Sequence, residues 1–105
     1  MLINTFIIGV QKAGTTALYS FLKQHPDITF GHRKELHIFD NETIEWSYLY
    51  DPKTKNKFAE TLTQTRFPNR NTAIICDATP SYICIKQSIE RIHLYNPQAK
   101  IIMLL

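Results

Sequence analysis

The sequence has little of what usually reveals a function at first sight. It holds three glycines, five prolines and two cysteines among 105 residues. So little glycine and proline excludes collagen-like and linker-like chains. Cys76 and Cys84 follow no C-x-x-C spacing, so neither a disulfide framework nor a zinc site can be read from them. Cys76 sits in an apolar run and reads as a small buried hydrophobe. No apolar run nears the ~18 residues that cross a bilayer. The N-terminus lacks a basic segment followed by a long apolar one, so nothing visible directs export and the expected location is cytoplasmic. Twelve basic residues against nine acidic ones leave a net charge of only +3. That suits an anionic ligand but is too small to indicate nucleic acid. The densest basic cluster, Lys53, Lys55 and Lys57, reads as solvated surface.

What is present is ordinary globular composition, 44% hydrophobic and 20% charged, in a chain long enough for one small domain. It shows no internal repeat, low-complexity segment or linker. Thr5-Phe6-Ile7-Ile8-Gly9-Val10 reads as a buried parallel strand. Residues 11–14 are small and polar, a loop. A helix is expected from Thr15, with Ala17, Leu18, Phe21 and Leu22 on one buried face, ended by His25-Pro26-Asp27. Ile28-Thr29-Phe30 suggests a short strand. Residues 31–40 collect His32, Arg33, Lys34, Glu35, His37 and Asp40, which is dense for a structural loop. Residues 44–50 are rich in aromatics, and 55–65 read as an amphipathic helix through Phe58 and Leu62. A second buried strand, Ala73-Ile74-Ile75-Cys76-Asp77, ends in a carboxylate. Thr79-Pro80 resembles a helix cap with proline in the first turn. Ile85, Ile89 and Ile92 continue at helical spacing to Asn96-Pro97, and 100–105 form a third apolar strand.

Strands alternating with helices argue for an α/β fold with a parallel sheet flanked by helices. A parallel strand buried on both faces should run on into a loop and another helix. The expectation is therefore that residues 1–105 are the N-terminal portion of a single domain, incomplete at its C-terminus.

The stretch Gly9-Val10-Gln11-Lys12-Ala13-Gly14-Thr15-Thr16 follows a strand and opens a helix. Its skeleton, G-x-x-x-x-G-x-T, is that of a phosphate-cradling loop, which makes the fold P-loop-like and three-layered. Glycines let the backbone curl around an oxyanion, the unpaired N–H groups of the helix start point at it, and the helix dipole favours its charge. Thr15 and Thr16 add hydroxyls. The sequence is not a Walker A motif, because Thr15 stands where the lysine after Gly14 should be. The only lysine of the loop is Lys12. A plain strand-to-helix turn with an incidental lysine is the alternative, and strand context, spacing and hydroxyls together speak against it.

The stretch from Phe6 to Leu18 resembles the 5′-phosphosulfate loop of sulfotransferases that use 3′-phosphoadenosine-5′-phosphosulfate (PAPS). The branch it most resembles holds heparan sulfate N- and 3-O-sulfotransferases and their bacterial relatives. Further landmarks follow in the family's order. His25-Pro26-Asp27 is similar to its turn after the first helix, and Lys34-Glu35-Leu36-His37-Ile38-Phe39-Asp40 to its K-E-x-H-F-F segment. Ile44-Glu45-Trp46-Ser47-Tyr48 is similar to its I-x-W-Y segment. Asp77-Ala78-Thr79-Pro80-Ser81-Tyr82 resembles its E-x-T/S-P-x-Y segment.

The resemblance implies sulfuryl transfer from PAPS to a hydroxyl or amine acceptor, with a saccharide as the expected partner and no metal. Positioning and fixed positive charge should dominate such a reaction. The resemblance gives the donor site to Gln11, Lys12, Ala13, Gly14, Thr15, Thr16 and Ala17, with Lys12 also acting on the leaving group. It makes Glu35 the catalytic base, with His37 assisting, and gives Asp40 and Trp46 to the acceptor. In an extended segment His37, two residues on, would share a face with Glu35. For Trp46, Tyr48 and Tyr50, core packing is an equal alternative. Two departures, Ala78 where some relatives carry lysine and Thr16 where some carry arginine, point toward the N-sulfotransferase and bacterial pattern. The arginine and serine that bind the 3′-phosphate in the family would lie beyond Leu105, so residues 1–105 alone are expected to be inactive.

Two rival readings remain. In a P-loop kinase or NTPase, Asp77 would end a Walker B strand near Mg²⁺; the missing lysine after Gly14 opposes this. The other rival is a truncated, non-catalytic nucleotide-binding domain. An Arg-x-Pro-x-x-Arg run after Leu105 would favour sulfotransfer. The triplet Asn41-Glu42-Thr43 fits a glycosylation acceptor but decides nothing without an export signal.

Overall fold

The computed structural model describes residues 1–9 and 14–104, leaving aside the Thr15 side chain. The elements are β1 (Thr5–Gly9), α1 (Thr15–Leu22), β2 (Ile28–Phe30), α2 (Ser47–Tyr50), α3 (Lys55–Arg66), β3 (Ile74–Asp77), a 3₁₀ turn (Pro80–Cys84), α4 (Lys86–Tyr95) and β4 (Lys100–Leu104). The four strands form one sheet in the order β2-β3-β1-β4. All three pairings are parallel, with Thr5 beside both Cys76 and Lys100 and Ile28 beside Ile74. A parallel sheet hides both faces, and the middle of β1, Phe6-Ile7-Ile8, is apolar and fully buried.

β1 shows how the period of two divides the core. Phe6 and Ile8 enter the larger cluster with Ile75, Phe39, Trp46, Leu62, Tyr82, Ile92 and Tyr95. Ile7 enters a second cluster with Cys76, Ala78, Leu18, Tyr19, Leu22 and Phe30. One face of the sheet is thus covered by α1, and the other by α3, α4 and the 3₁₀ turn. Aromatic edges bind the larger layer together: Phe6 meets Phe39 at 5.5 Å, and Phe39 meets Tyr95 at 5.0 Å. Cys76 packs as a small hydrophobe, and burial pushes its thiol up to about 12.

Three sequence expectations change. The buried stripe of α1 is Leu18, Tyr19 and Leu22, whereas Ala17 and Phe21 face out, Phe21 being 75% exposed. The stripe runs one position further round the helix than apolar spacing alone suggested, because Tyr19 packs edge-on against Phe30 at 4.7 Å. The single helix expected from Thr79 is divided. Ile85 is extended (φ −122°, ψ 108°) and separates the 3₁₀ turn from α4. The Thr79 side chain makes no cap hydrogen bond and is used elsewhere. Finally, β4 pairs only with β1 among the described residues, and Ile101, Ile102 and Met103 are 43%, 39% and 51% exposed rather than buried on both faces.

Candidate functional site

The carboxyl ends of β1, β2 and β3 point to the same edge of the parallel sheet, where open α/β folds bind their ligands. Gly9 ends β1 there with φ 152°, and a Cβ on it would collide with the Leu104 carbonyl. Only glycine allows the two backbones to lie so close. Gly14, at φ 92°, is the residue before α1 and has open space around it, so its backbone angle rather than crowding calls for glycine. The first N–H bonded within α1 is that of Leu18, to the Gly14 carbonyl at 3.0 Å. The first N–H groups of any helix have no acceptor within the helix and are free to meet an anion. Gln11, Lys12 and Ala13 lie outside the described residues.

Next to α1 stands the loop after β2. Lys34 Nζ donates to Thr16 Oγ1 at 2.6 Å and lies 3.7 Å from Glu35 Oε2. This contact ties the loop to the first turn of α1 and brings a cation to that turn. His37 Nε2 is 3.2 Å from Glu35 Oε1, and His37 Nδ1 is 2.7 Å from Asp40 Oδ2. Ser81 Oγ donates to the same Asp40 oxygen at 3.3 Å. Both ring nitrogens of His37 thus face carboxylate oxygens, which favour the imidazolium. The Asp40 hydrogen bond, above all, raises the His37 pKa above 6.5, with charge from Asp40 and Glu35 adding to it against a smaller pull from desolvation.

An extended segment was expected to bring Glu35 and His37 onto one face. They do meet, but through an irregular loop in which His37 takes φ 51°, the one positive φ outside glycine among the described residues. A polar cleft of about 450 Å³ opens beside His37, lined by His32, Arg33, Leu36, Asn41, Thr65 and Arg66.

Trp46 is not in this cluster. It is 8% exposed, stacked on Phe39 at 5.7 Å, with the Arg91 guanidinium 4.7 Å from its ring. Its Nε1–H donates to the Asn41 carbonyl at 2.9 Å. Of the two roles its sequence context left open, this position is that of core packing. Tyr48 and Tyr50 are half exposed on α2.

Beneath the loop lies a network that sequence reasoning missed. Asp77 is buried and accepts from the Thr79 hydroxyl at 2.7 Å and the Tyr82 hydroxyl at 2.8 Å. Desolvation pushes the Asp77 carboxyl up to about 6 despite these bonds. Burial likewise holds the Tyr82 phenol well above its ordinary value, so it stays a donor. The signal in the sequence was the spacing Asp77-x-Thr79-x-x-Tyr82, visible only as a motif without a physical role. The same burial opposes the kinase reading. Asp77 is 1% exposed with both oxygens occupied, whereas a Walker B carboxylate must be open to a metal and its waters.

A parallel sheet flanked by helices, with Gly9 closing β1 and Gly14 preceding α1 at its carboxyl edge, is the fold of a P-loop-like protein. Residues 4–105 match the family model described as "Sulfotransferase family". The chain belongs to that family. It is 30% identical over 103 residues to heparan sulfate glucosamine 3-O-sulfotransferase 6 of Homo sapiens, covering 95% of this chain and 25% of that protein. It is 33% identical over 105 residues to the membrane-associated sulfotransferase kil1 of Dictyostelium discoideum, covering 97% of this chain and 20% of that protein. A crystal structure of a sulfotransferase from Alicyclobacillus acidocaldarius superposes with a TM-score of 0.66 at 28% identity, covering 95% of this chain and 42% of the other. The chain thus spans about a quarter of the first curated relative and under half of the solved one. No helix among the described residues is long and apolar enough to cross a membrane.

Proposed function

We propose that the protein transfers a sulfuryl group from PAPS to a hydroxyl or amine, with a saccharide as acceptor. The observation that carries this reading is the cluster of Glu35, His37 and Asp40, joined through Lys34 to the first turn of α1. It sets a candidate base beside a candidate anion site. The residues fit a nucleotide phosphosulfate: the start of α1, the Thr16 hydroxyl and the Lys34 ammonium all favour negative charge.

When bound, PAPS would supply an activated sulfuryl group and a phosphate that leaves. In this reading Glu35 takes the proton of the acceptor as its oxygen or nitrogen becomes the nucleophile. His37, held by Asp40, keeps Glu35 oriented. Lys12 and the N–H groups from Ala13 to Ala17 receive the charge that grows on the departing phosphate, the step where fixed positive charge matters most. No metal is part of this scheme. The cleft beside His37, with Arg33 and Arg66 in its lining, suits a saccharide that itself bears carboxylate or sulfate groups. The names of the heparan sulfate relatives support a saccharide acceptor. Residues 1–105 would supply the 5′ half of the donor site within one larger domain and, on this reading, turn over nothing alone.

A cytoplasmic location belongs to the same reading, and cell fractionation tests it. The test of the activity is transfer of labelled sulfate from PAPS to a panel of saccharides by the complete domain, with Glu35→Gln as control. Label on the saccharide that disappears in the variant supports the reading. Transfer that survives Glu35→Gln, or none with any acceptor, would sink it.

A further inference from the structure

The loop of residues 36–39 has no strand to pair with, yet four successive backbone N–H groups are satisfied by two hydroxyls. Thr79 Oγ1 accepts from the N–H of Leu36 at 3.1 Å and of His37 at 3.3 Å. Tyr82 Oη accepts from the N–H of Ile38 at 2.9 Å and of Phe39 at 3.3 Å. A hydroxyl has one hydrogen and two lone pairs. Each can receive two N–H groups only if its own hydrogen points elsewhere. Both hydrogens point at Asp77, one to each carboxylate oxygen, at 2.7 and 2.8 Å. An ionised carboxylate accepts and never donates, so it forces both hydroxyls to turn their lone pairs toward the loop. Asp77, Thr79 and Tyr82 are 1%, 0% and 0% exposed, so water does not compete for these bonds.

We propose that Asp77 is a positioning residue for the proposed base. Through Thr79 and Tyr82 it fixes the backbone between Glu35 and Asp40, and with it the mutual placement of Glu35, His37 and Asp40. The claim rests on the sulfotransfer reading only where turnover is measured. The hydrogen-bond accounting stands apart from it. Asp77 touches neither donor nor acceptor in this scheme. It acts by setting which way two hydroxyls point.

Three substitutions separate positioning from plain stability. Thr79→Val keeps the volume and removes the hydroxyl, Thr79→Ser keeps the hydroxyl, and Asp77→Asn replaces one accepting oxygen with a donor that must reverse a hydroxyl. Each is made in the full chain, with folding checked by circular dichroism. Thr79→Val and Asp77→Asn are expected to lower kcat by about tenfold to a hundredfold, the scale of a small misplacement of catalytic groups. Binding of adenosine 3′,5′-bisphosphate should change little, and Thr79→Ser should stay near wild type. The second readout needs no turnover. The His37 imidazole, followed by NMR, should titrate above 6.5 in wild type and Thr79→Ser and fall back toward 6.5 in Thr79→Val. If wild type transfers no sulfate, the activity reading fails and the His37 titration still decides the positioning claim. If Thr79→Val does not fold, Tyr82→Phe and Asp77→Asn carry the same comparison. Wild-type kcat and an unmoved His37 titration in folded Thr79→Val or Asp77→Asn would overturn the proposal, as would Thr79→Ser as impaired as Thr79→Val.

Discussion

Glu35 has one oxygen facing His37 and the other facing Lys34, so its orientation is set from both sides. Glu35→Gln keeps the shape and removes the basicity, and sulfate transfer should collapse while adenosine 3′,5′-bisphosphate still binds. Steady-state kinetics beside calorimetry checks this split. Lys12→Ala should act on the same axis, lowering kcat by about 10²–10³ with a smaller effect on donor affinity, because its charge is needed most as the leaving oxygen becomes anionic. His37 supplies a prediction in pH. Its pKa is raised chiefly by the Asp40 hydrogen bond. Its ion pairs therefore contribute fully below 6.5 and are lost as pH rises through the raised folded value. Asp40→Asn should lower the His37 pKa by more than Glu35→Gln does, as an NMR titration would show.

At the scale of elements, the end of β1 and the start of α1 were legible because glycine spacing and a β-branched strand report on backbone needs, and backbone needs are local. The two glycines at these ends can be tested directly. Gly14→Ala places a side chain at φ 92°, which costs about 1–2 kcal/mol for a left-handed residue. Gly9→Ala should destabilise more, since its Cβ would push β4 off β1. Urea midpoints of both variants check the order. The strands and α3 were likewise legible, through their runs and periodicity. The face of α1 was not, because Phe21 and Tyr19 are both aromatic and only contact with Phe30 selects Tyr19. Thr79 shows the same limit. Thr-Pro is a good local cap, yet its hydroxyl is committed to Asp77 and to a loop more than forty residues away in sequence. No local pattern carries a bond of that kind. The meeting of Glu35 and His37 was foreseen, but the left-handed turn that achieves it was not.

For the molecule as a whole, a buried acid at the centre of the fold couples stability to pH. The Asp77 carboxyl rises from 3.8 to about 6 on folding, a change worth roughly 3 kcal/mol. A raised folded pKa means its contribution is fully present below 3.8 and is lost as pH climbs through about 6. Wild type should therefore lose stability relative to Asp77→Asn between those values and run parallel to it at higher pH, in urea titrations at matched pH. The same burial that makes this carboxylate costly also keeps it from serving a metal, which separates the sulfotransferase reading from the kinase one.

The most direct test of that separation is isothermal calorimetry of the protein with adenosine 3′,5′-bisphosphate, free of divalent metal, against ATP with Mg²⁺. The account expects the bisphosphate to bind without metal and ATP-Mg²⁺ to bind weakly or not at all. Tight binding of ATP-Mg²⁺ with no heat from the bisphosphate would contradict it and return Asp77 to the kinase reading.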